Sequence, residues 1–169
     1  MKNDLEPILR EMSSRFKRLR SALAVGFGHS GAVSALRTRL GGIWMDVPAA
    51  AELDFDEAQF DAVVVAPGAV SREVAREANR VLRADGFMFF TVPERRRGSD
   101  AGYTAPEVYR IVREGFDILS VVRPKWWHFG FAGHTLTVTA RKKAWREHKG
   151  LRGSGGTYFF KPFNDKEKR

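Results

Sequence analysis

Residues 60–94 read FDAVVVAPGAVSREVAREANRVLRADGFMFFTVPE, and this stretch decides the fold. The unbroken apolar run at residues 62–66 is typical of a strand buried on both faces. A proline and a glycine then end the strand, and Ser71 is a helix N-cap followed by apolar residues at helical spacing. Asp85 and the glycine after it predict the end of this helix, and residues 87–92 form a second apolar strand. The stretch therefore predicts two parallel strands joined by a right-handed helical crossover.

The length and composition of the chain indicate one globular domain. Its 169 residues and 43% apolar content suffice for a proper core. Cysteine does not occur, which excludes disulfides, thiolate metal sites and cysteine nucleophiles. His128 and His134 do not have a recognisable metal-ligand spacing, so no metal is assigned. We expect residues 1–149 to form the domain and residues 150–169 to be a flexible tail containing a Gly/Ser linker.

Nothing in the sequence predicts a membrane or secretory segment. No apolar run approaches the roughly 20 residues that cross a bilayer. The N-terminal residues have mixed charge instead of the apolar core of a signal peptide. We therefore expect a cytoplasmic protein.

The charge of the chain is strongly positive. Lys and Arg number 29 against 20 Asp and Glu, which gives +9, and the basic residues cluster at 15–20, 95–97 and 141–152. Such surfaces attract polyanions such as RNA, or acidic protein and lipid surfaces, and do so less as salt rises. Solvated basic faces without any partner explain the same composition. Both interpretations stay open.

A glycine-rich turn follows the first predicted strand, residues 21–25. Gly26, Phe27 and Gly28 form the turn, and Gly31 opens a helix, which gives the spacing G-x-G-x-x-G. Such a turn brings backbone amide groups close to a ligand, although many turns of this kind are only tight connections. The position ahead of a buried parallel strand favours a ligand, because open α/β sheets bind ligands at the carboxyl ends of their strands.

Asp46 lies near the end of the second predicted strand, residues 43–47. An acid at this position can hold the two hydroxyl groups of a nucleoside ribose. Asp46 is equally well explained as a turn residue before Pro48. Residues 49–60 are short and acidic, and they leave no room for another helix and strand.

The segments after residue 94 supply candidate contacts for a substrate or a partner. Arg95, Arg96 and Arg97 follow a strand at the carboxyl edge of the sheet, where they either bind an anionic substrate or are solvated. Strands predicted at 116–122 and 134–140 pair as an antiparallel hairpin. The loop between them contains Trp126, Trp127, His128 and Phe129. Because these aromatic rings are costly to expose, they pack on the domain, line a pocket or meet a partner such as a stacked base.

The order of these segments resembles the class I S-adenosylmethionine-dependent methyltransferases over roughly residues 21–143. The resemblance depends on AVGFGHSGAV at 24–33, LDFDEAQFDAVVVA at 53–66, EANRVLRADGFMFFTVPE at 77–94, and the closing strands FDILSVVRP and HTLTVTARK. It implies an α/β, Rossmann-like three-layer sandwich whose mostly parallel sheet ends in a C-terminal antiparallel hairpin. One helix–strand unit of the family is missing after the second strand.

The resemblance also implies a cofactor and its contacts. Gly26, Phe27, Gly28 and Gly31 match the loop that binds S-adenosylmethionine, Asp46 matches the ribose-binding acid, and Ala66 ends the fourth strand of the family. Two positions depart from the family pattern. Ala24 replaces an acid two residues before the first glycine, and Ala49 stands near the position of an adenine-binding acid. No catalytic residue is implied, because methyl transfer depends mainly on alignment.

Two functions remain open at this point. The first is methyl transfer from S-adenosylmethionine to an unidentified acceptor that lies under the aromatic loop. The second is a catalytically silent module that binds RNA, a ribonucleoprotein or an acidic protein partner through its basic and aromatic surfaces. The oligomeric state is not predicted.

Overall fold

The computed structural model describes residues 5–28, 31–95, 101–123 and 135–143. Predictions for Arg96, Arg97, the aromatic loop at 126–129 and the tail at 150–169 lie outside these residues. The helices are α1 (Glu6–Arg15), α2 (Gly31–Leu40), α3 (Arg72–Val81) and α4 (Ala105–Val112), and a 3-10 turn covers Pro67–Ala69. The strands are β1 (Ser21–Val25), β2 (Ile43–Val47), β3 (Phe60–Val65), β4 (Leu82–Pro93), β5 (Phe116–Val122) and β6 (Thr135–Lys142).

The strands form one six-stranded sheet in the order β2-β1-β3-β4-β6-β5. The first four strands are parallel, and β6 is antiparallel to both β4 and β5. This confirms the predicted parallel sheet with its C-terminal antiparallel hairpin. The strand order reverses between β1 and β3, because the chain leads from β1 outward to β2 and then returns to β3 on the other side. The carboxyl ends of β1 and β3 therefore flank the topological switch point.

The sheet separates two helical layers, as the predicted three-layer sandwich requires. α1 and α2 pack on one face, around Leu36, Val64 and Phe89. α3 and α4 pack on the other face, around Val63, Phe90 and Val138. Every residue from Ala62 to Ala66 is buried, which fits a central strand covered on both faces. No helix in the described part of the chain is long and apolar enough to cross a membrane.

The crossover from β3 to β4 begins as predicted but ends earlier. The Ser71 hydroxyl caps α3 by accepting the Val74 amide at 3.2 Å. The prediction that the helix ends at Asp85 is wrong, since α3 ends at Val81 and Leu82 already pairs with Phe60 of β3. The β3–β4 register is irregular from there until Ala62 pairs with Phe87, and Asp85 takes a left-handed φ of 61° within this irregular segment. Pairing of β4 with β3 therefore ends the helix before Asp85, where the local sequence pattern predicts its end.

The predicted loss of one helix–strand unit is also observed. Residues 48–59 connect β2 to β3 without a helix or strand, which leaves β2 at the edge of the sheet. Two residues of α3 hold this connection in place. The Arg80 guanidinium donates to the carbonyl oxygens of Phe55 at 2.6 Å and Leu53 at 2.8 Å, and the Glu77 carboxylate accepts the Leu53 amide at 2.9 Å. A clamp from α3 therefore stabilises the segment where a regular element would otherwise stand.

Candidate functional site

The glycine turn lies at the carboxyl end of β1, beside the switch point. Gly26 and Gly28 both have left-handed φ angles, +81° and +59°, which glycine adopts without strain. The Gly26 amide donates to Val47 O of β2 at 2.8 Å, which ties the turn to the neighbouring strand tip. A Cβ atom added to Gly28 or Gly31 would meet no atom of the described residues within 4 Å. No described residue therefore covers the turn at Gly28 and Gly31, where a ligand can approach the backbone.

Gly26 itself is covered by protein. A Cβ atom on Gly26 would lie 2.6 Å from the Ala69 Cβ and 3.5 Å from the Cβ atoms of Ala49 and Ala66. Ala69 belongs to the 3-10 turn that follows β3, and Ala66 donates its amide to Val25 O at 2.9 Å. The crevice between β1 and β3 is therefore closed at its base by small side chains. A ligand at this edge has to lie further out, over Gly28.

Asp46 stands at the tip of β2, next to this turn. It is exposed, and its Cα pairs with that of buried Ala24 in the β1–β2 register. Trp44 packs on the α1–α2 core and Val47 on the α3–α4 core, so strand alternation places Asp46 on the α1–α2 side. Ala24 brings no carboxylate to this corner. Asp46 is thus the acid that the tips of β1 and β2 offer to a ribose.

Phe27, the remaining residue of the predicted loop, has a different environment. Its side chain is half-buried and packs against the α1–α2 core. The ring therefore helps to anchor the turn, and the backbone of Phe27 is what remains available to a ligand.

Arg95 follows β4 at the same edge, but a carboxylate already engages it. Its guanidinium lies 3.0 Å from Glu107 of α4, and Glu107 also accepts the amide of Thr104 at 2.8 Å and its hydroxyl at 2.9 Å. Hydrogen bonds from the Thr104 backbone and hydroxyl, with the nearby positive charge of Arg95, lower the pKa of Glu107. Arg95 is therefore part of the helix cap as well as a candidate anion contact.

The end of β5 is tied to this edge by a second ion pair. Arg123 contacts Glu94 at 2.7 Å. The carboxylates of Glu94 and Glu107 are thus each paired with an arginine. This geometry favours binding and orientation over general acid–base chemistry.

The fold brings most of the predicted cofactor residues together. Gly26, Gly28, Gly31, Asp46 and Ala66 all lie at the carboxyl edge around the switch point. The sequence did not predict the role of Ala69 beside Gly26, because an alanine in a short turn has no distinguishing pattern. The Arg80–Glu77 clamp was missed for a similar reason, since both residues read as solvated helix positions.

Solved methyltransferase structures share this architecture. An S-adenosylmethionine-dependent methyltransferase from Aquifex aeolicus matches with a TM-score of 0.64 and 16% identity, over 83% of this chain and 90% of that one. The 1,6-didemethyltoxoflavin-N1-methyltransferase of Burkholderia thailandensis, with bound S-adenosylhomocysteine, matches at 0.59 and 21% identity, over 83% and 78% of the chains. Geranyl diphosphate C-methyltransferase of Streptomyces coelicolor, also with S-adenosylhomocysteine, matches at 0.63 and 10% identity, over 81% and 76%.

The chain therefore has a class I S-adenosylmethionine methyltransferase-like fold, in a form shortened by one helix–strand unit. At these identities the likeness concerns the fold alone. The sequence itself matches no protein-family profile and no curated protein.

Proposed function

We propose that this protein binds S-adenosylmethionine at the carboxyl edge of its sheet and transfers the methyl group to an acceptor in the cytoplasm. One observation carries the proposal: the glycine turn, which no described residue covers at Gly28 and Gly31, is hydrogen-bonded through Gly26 to Val47, the residue that follows Asp46 in β2. Ligands of open α/β sheets bind at this point. Two of the structures that share the fold contain S-adenosylhomocysteine in their crystals.

Each residue has a defined part in this proposal. Asp46 accepts hydrogen bonds from the ribose hydroxyls, and a charged acceptor makes such bonds stronger. Gly28 and Gly31 let the cofactor approach the backbone, while Gly26, Phe27 and Ala66 fix the shape of the turn below it. S-adenosylmethionine supplies an activated methyl group when bound, so the protein has mainly to align the acceptor and exclude water.

We propose further contacts on the acceptor side of the site. We assign Arg95, Arg96 and Arg97 and the aromatic loop residues Trp126, Trp127, His128 and Phe129 to acceptor or partner contacts. Of these residues only Arg95 belongs to the described part of the chain, where it follows the carboxyl end of β4.

Isothermal titration with S-adenosylmethionine and S-adenosylhomocysteine tests the proposal. We expect saturable binding that weakens at least about tenfold in Asp46→Asn, because a hydrogen bond to a charged group contributes about 1.5–3 kcal/mol. Asp117→Asn is the matched control, because Asp117 is an exposed aspartate of β5 at the far edge of the sheet. Absence of heat at millimolar ligand, or equal weakening by both variants, would contradict the proposal.

A catalytically silent module is the second candidate, and the region around Gly26 favours it. Ala69 closes the base of the crevice, and neither Ala24 nor Ala49 supplies a carboxylate. In this alternative the net charge of +9 serves to bind RNA. RNA binding that weakens steeply with salt, in a chain that shows no heat with either cofactor form, would support the module and contradict the enzyme.

A further inference from the structure

Within the described residues no strand pairs with the outer edge of β2, and this edge lacks the protection that the opposite edge of the sheet has. β2 pairs with β1 through five consecutive residues without interruption, and its Ile43 and Met45 side chains are 72% and 45% exposed. At the other edge, β5 contains an irregularity between Ile118 and Ser120. Bulges of this kind discourage edge-to-edge pairing, whereas a regular edge with exposed apolar side chains invites it.

The backbone of β2 fixes how a second strand can pair with it. The Ile43 amide donates to Arg20 O at 2.9 Å and Val47 O accepts the Gly26 amide, so these two residues direct their backbone groups toward β1. Because the direction alternates along a parallel strand, the backbone groups of Trp44 and Asp46 are directed toward the open edge. An antiparallel partner that is a second β2 can therefore form a hydrogen-bonded pair between Trp44 and Asp46, which centres the pairing on Met45.

In this register the side chains that face each other across the two strands are complementary. Met45 meets Met45 of the partner subunit, and Ile43 meets Val47 of the partner subunit on the same face. All three residues are apolar, and Ile43 and Met45 are exposed in the single chain. Pairing of two identical strands about a two-fold axis buries these side chains twice.

The register is also complementary in charge. Trp44 Nε1 donates to Gly41 O at 2.8 Å, which places Trp44 beside the C-terminal end of α2. The exposed residue Arg37 lies in that last helical turn, on the side of the sheet to which Asp46 belongs. Because Asp46 stands opposite Trp44 of the partner subunit, it also comes close to the cationic end of the partner's α2. The antiparallel arrangement makes this contact twice.

We propose that β2 is a homodimer interface in which two copies of this chain join their sheets through antiparallel β2 strands centred on Met45. The second copy takes the edge position next to β2 that the missing helix–strand unit leaves open. Trp44 of the partner subunit then borders Asp46 and hence the cofactor site, a consequence that rests on the proposed function. The pairing itself does not depend on a cofactor.

Disulfide trapping tests the interface and its register, because the chain has no cysteine of its own. Directly opposed residues of a non-hydrogen-bonded pair have Cα atoms about 4.5 Å apart, within the range of a disulfide. Mild oxidation of Met45→Cys should therefore give a covalent dimer. Ile43→Cys should not, because its two thiols would lie about 13 Å apart along the strands. Leu119→Cys, equally exposed at the β5 edge, is the second control.

Sedimentation analysis without any ligand keeps this test separate from the proposed function. We expect the wild-type chain to be a dimer. Met45→Lys should raise the dissociation constant of this dimer at least about tenfold, because like charges directly opposed destabilise a strand pair. Val121→Lys at the β5 edge should leave the dimer intact. A wild-type monomer, an uncrosslinked Met45→Cys, or equal crosslinking by Ile43→Cys would overturn the proposal. Titration of the same samples with S-adenosylhomocysteine tests the proposed cofactor binding independently of the dimer.

Discussion

Gly26 and Ala69 approach each other so closely that a Cβ atom on Gly26 would lie 2.6 Å from the Ala69 Cβ. The contact joins the tip of β1 to the 3-10 turn after β3, and it forms the base of the switch-point crevice. Two independent constraints therefore require glycine at this position, its left-handed φ of +81° and the absence of space.

Gly26→Ala should reduce the free energy of unfolding by about 2–5 kcal/mol, the sum of a left-handed alanine and an overpacked contact. Gly28 has a similar φ but no described neighbour within 4 Å of an added Cβ, so for Gly28→Ala only the conformational cost of about 1–2 kcal/mol should apply. Urea unfolding of the two variants measures the difference. Equal losses of stability would show that the contact with Ala69 has no energetic role.

The sequence predicted the parts of this site that depend on local pattern. The apolar strand before Gly26, the helix from Gly31 and the buried run after Phe60 all follow from periodicity and glycine spacing. The contact with Ala69 depends on how the β1 and β3 tips meet in space, which no local pattern records. The early end of α3 at Val81 has the same origin, because pairing of Leu82 with Phe60 prevails over the local stop signal at Asp85.

Arg80→Ala should destabilise the domain by about 2 kcal/mol, because hydrogen bonds from a charged donor to Leu53 and Phe55 are lost. Arg72→Ala on the same helix is the control, and its effect should stay within about 0.5 kcal/mol because Arg72 is exposed. Chemical unfolding measures both. If the two variants were equally stable, the clamp would not hold the connection that replaces the missing unit.

Acid should weaken the same clamp through Glu77. Hydrogen bonds from Arg80, with a further bond from the Leu53 amide, lower the pKa of Glu77 below its usual value. A lowered folded-state pKa contributes stability above the unfolded value of about 4.3, and this stability is lost as pH falls through the folded value. The wild-type chain should therefore lose more unfolding free energy than Glu77→Gln between about pH 5 and pH 3.

Unfolding measured across this pH range tests the assignment to Glu77. Glu52→Gln is the control, because Glu52 is an exposed carboxylate of the same connection. The change in acid dependence caused by Glu77→Gln should exceed the change caused by Glu52→Gln. If Glu77→Gln kept the full acid dependence, the pH response would have to come from other carboxylates.

Substitutions at two glycines that flank α2 distinguish an effect on ligand binding from an effect of backbone strain. Gly28 precedes the helix and Gly41 follows it, with left-handed φ angles of +59° and +68°. A Cβ on either residue would meet none of the atoms that the structure describes within 4 Å. Asparagine tolerates this conformation, so Gly28→Asn and Gly41→Asn should have similar stability. Only the side chain at position 28 would occupy the proposed cofactor space. Titration with S-adenosylhomocysteine should therefore show binding at least about tenfold weaker in Gly28→Asn and unchanged in Gly41→Asn. Unchanged affinity in Gly28→Asn would place the ligand elsewhere.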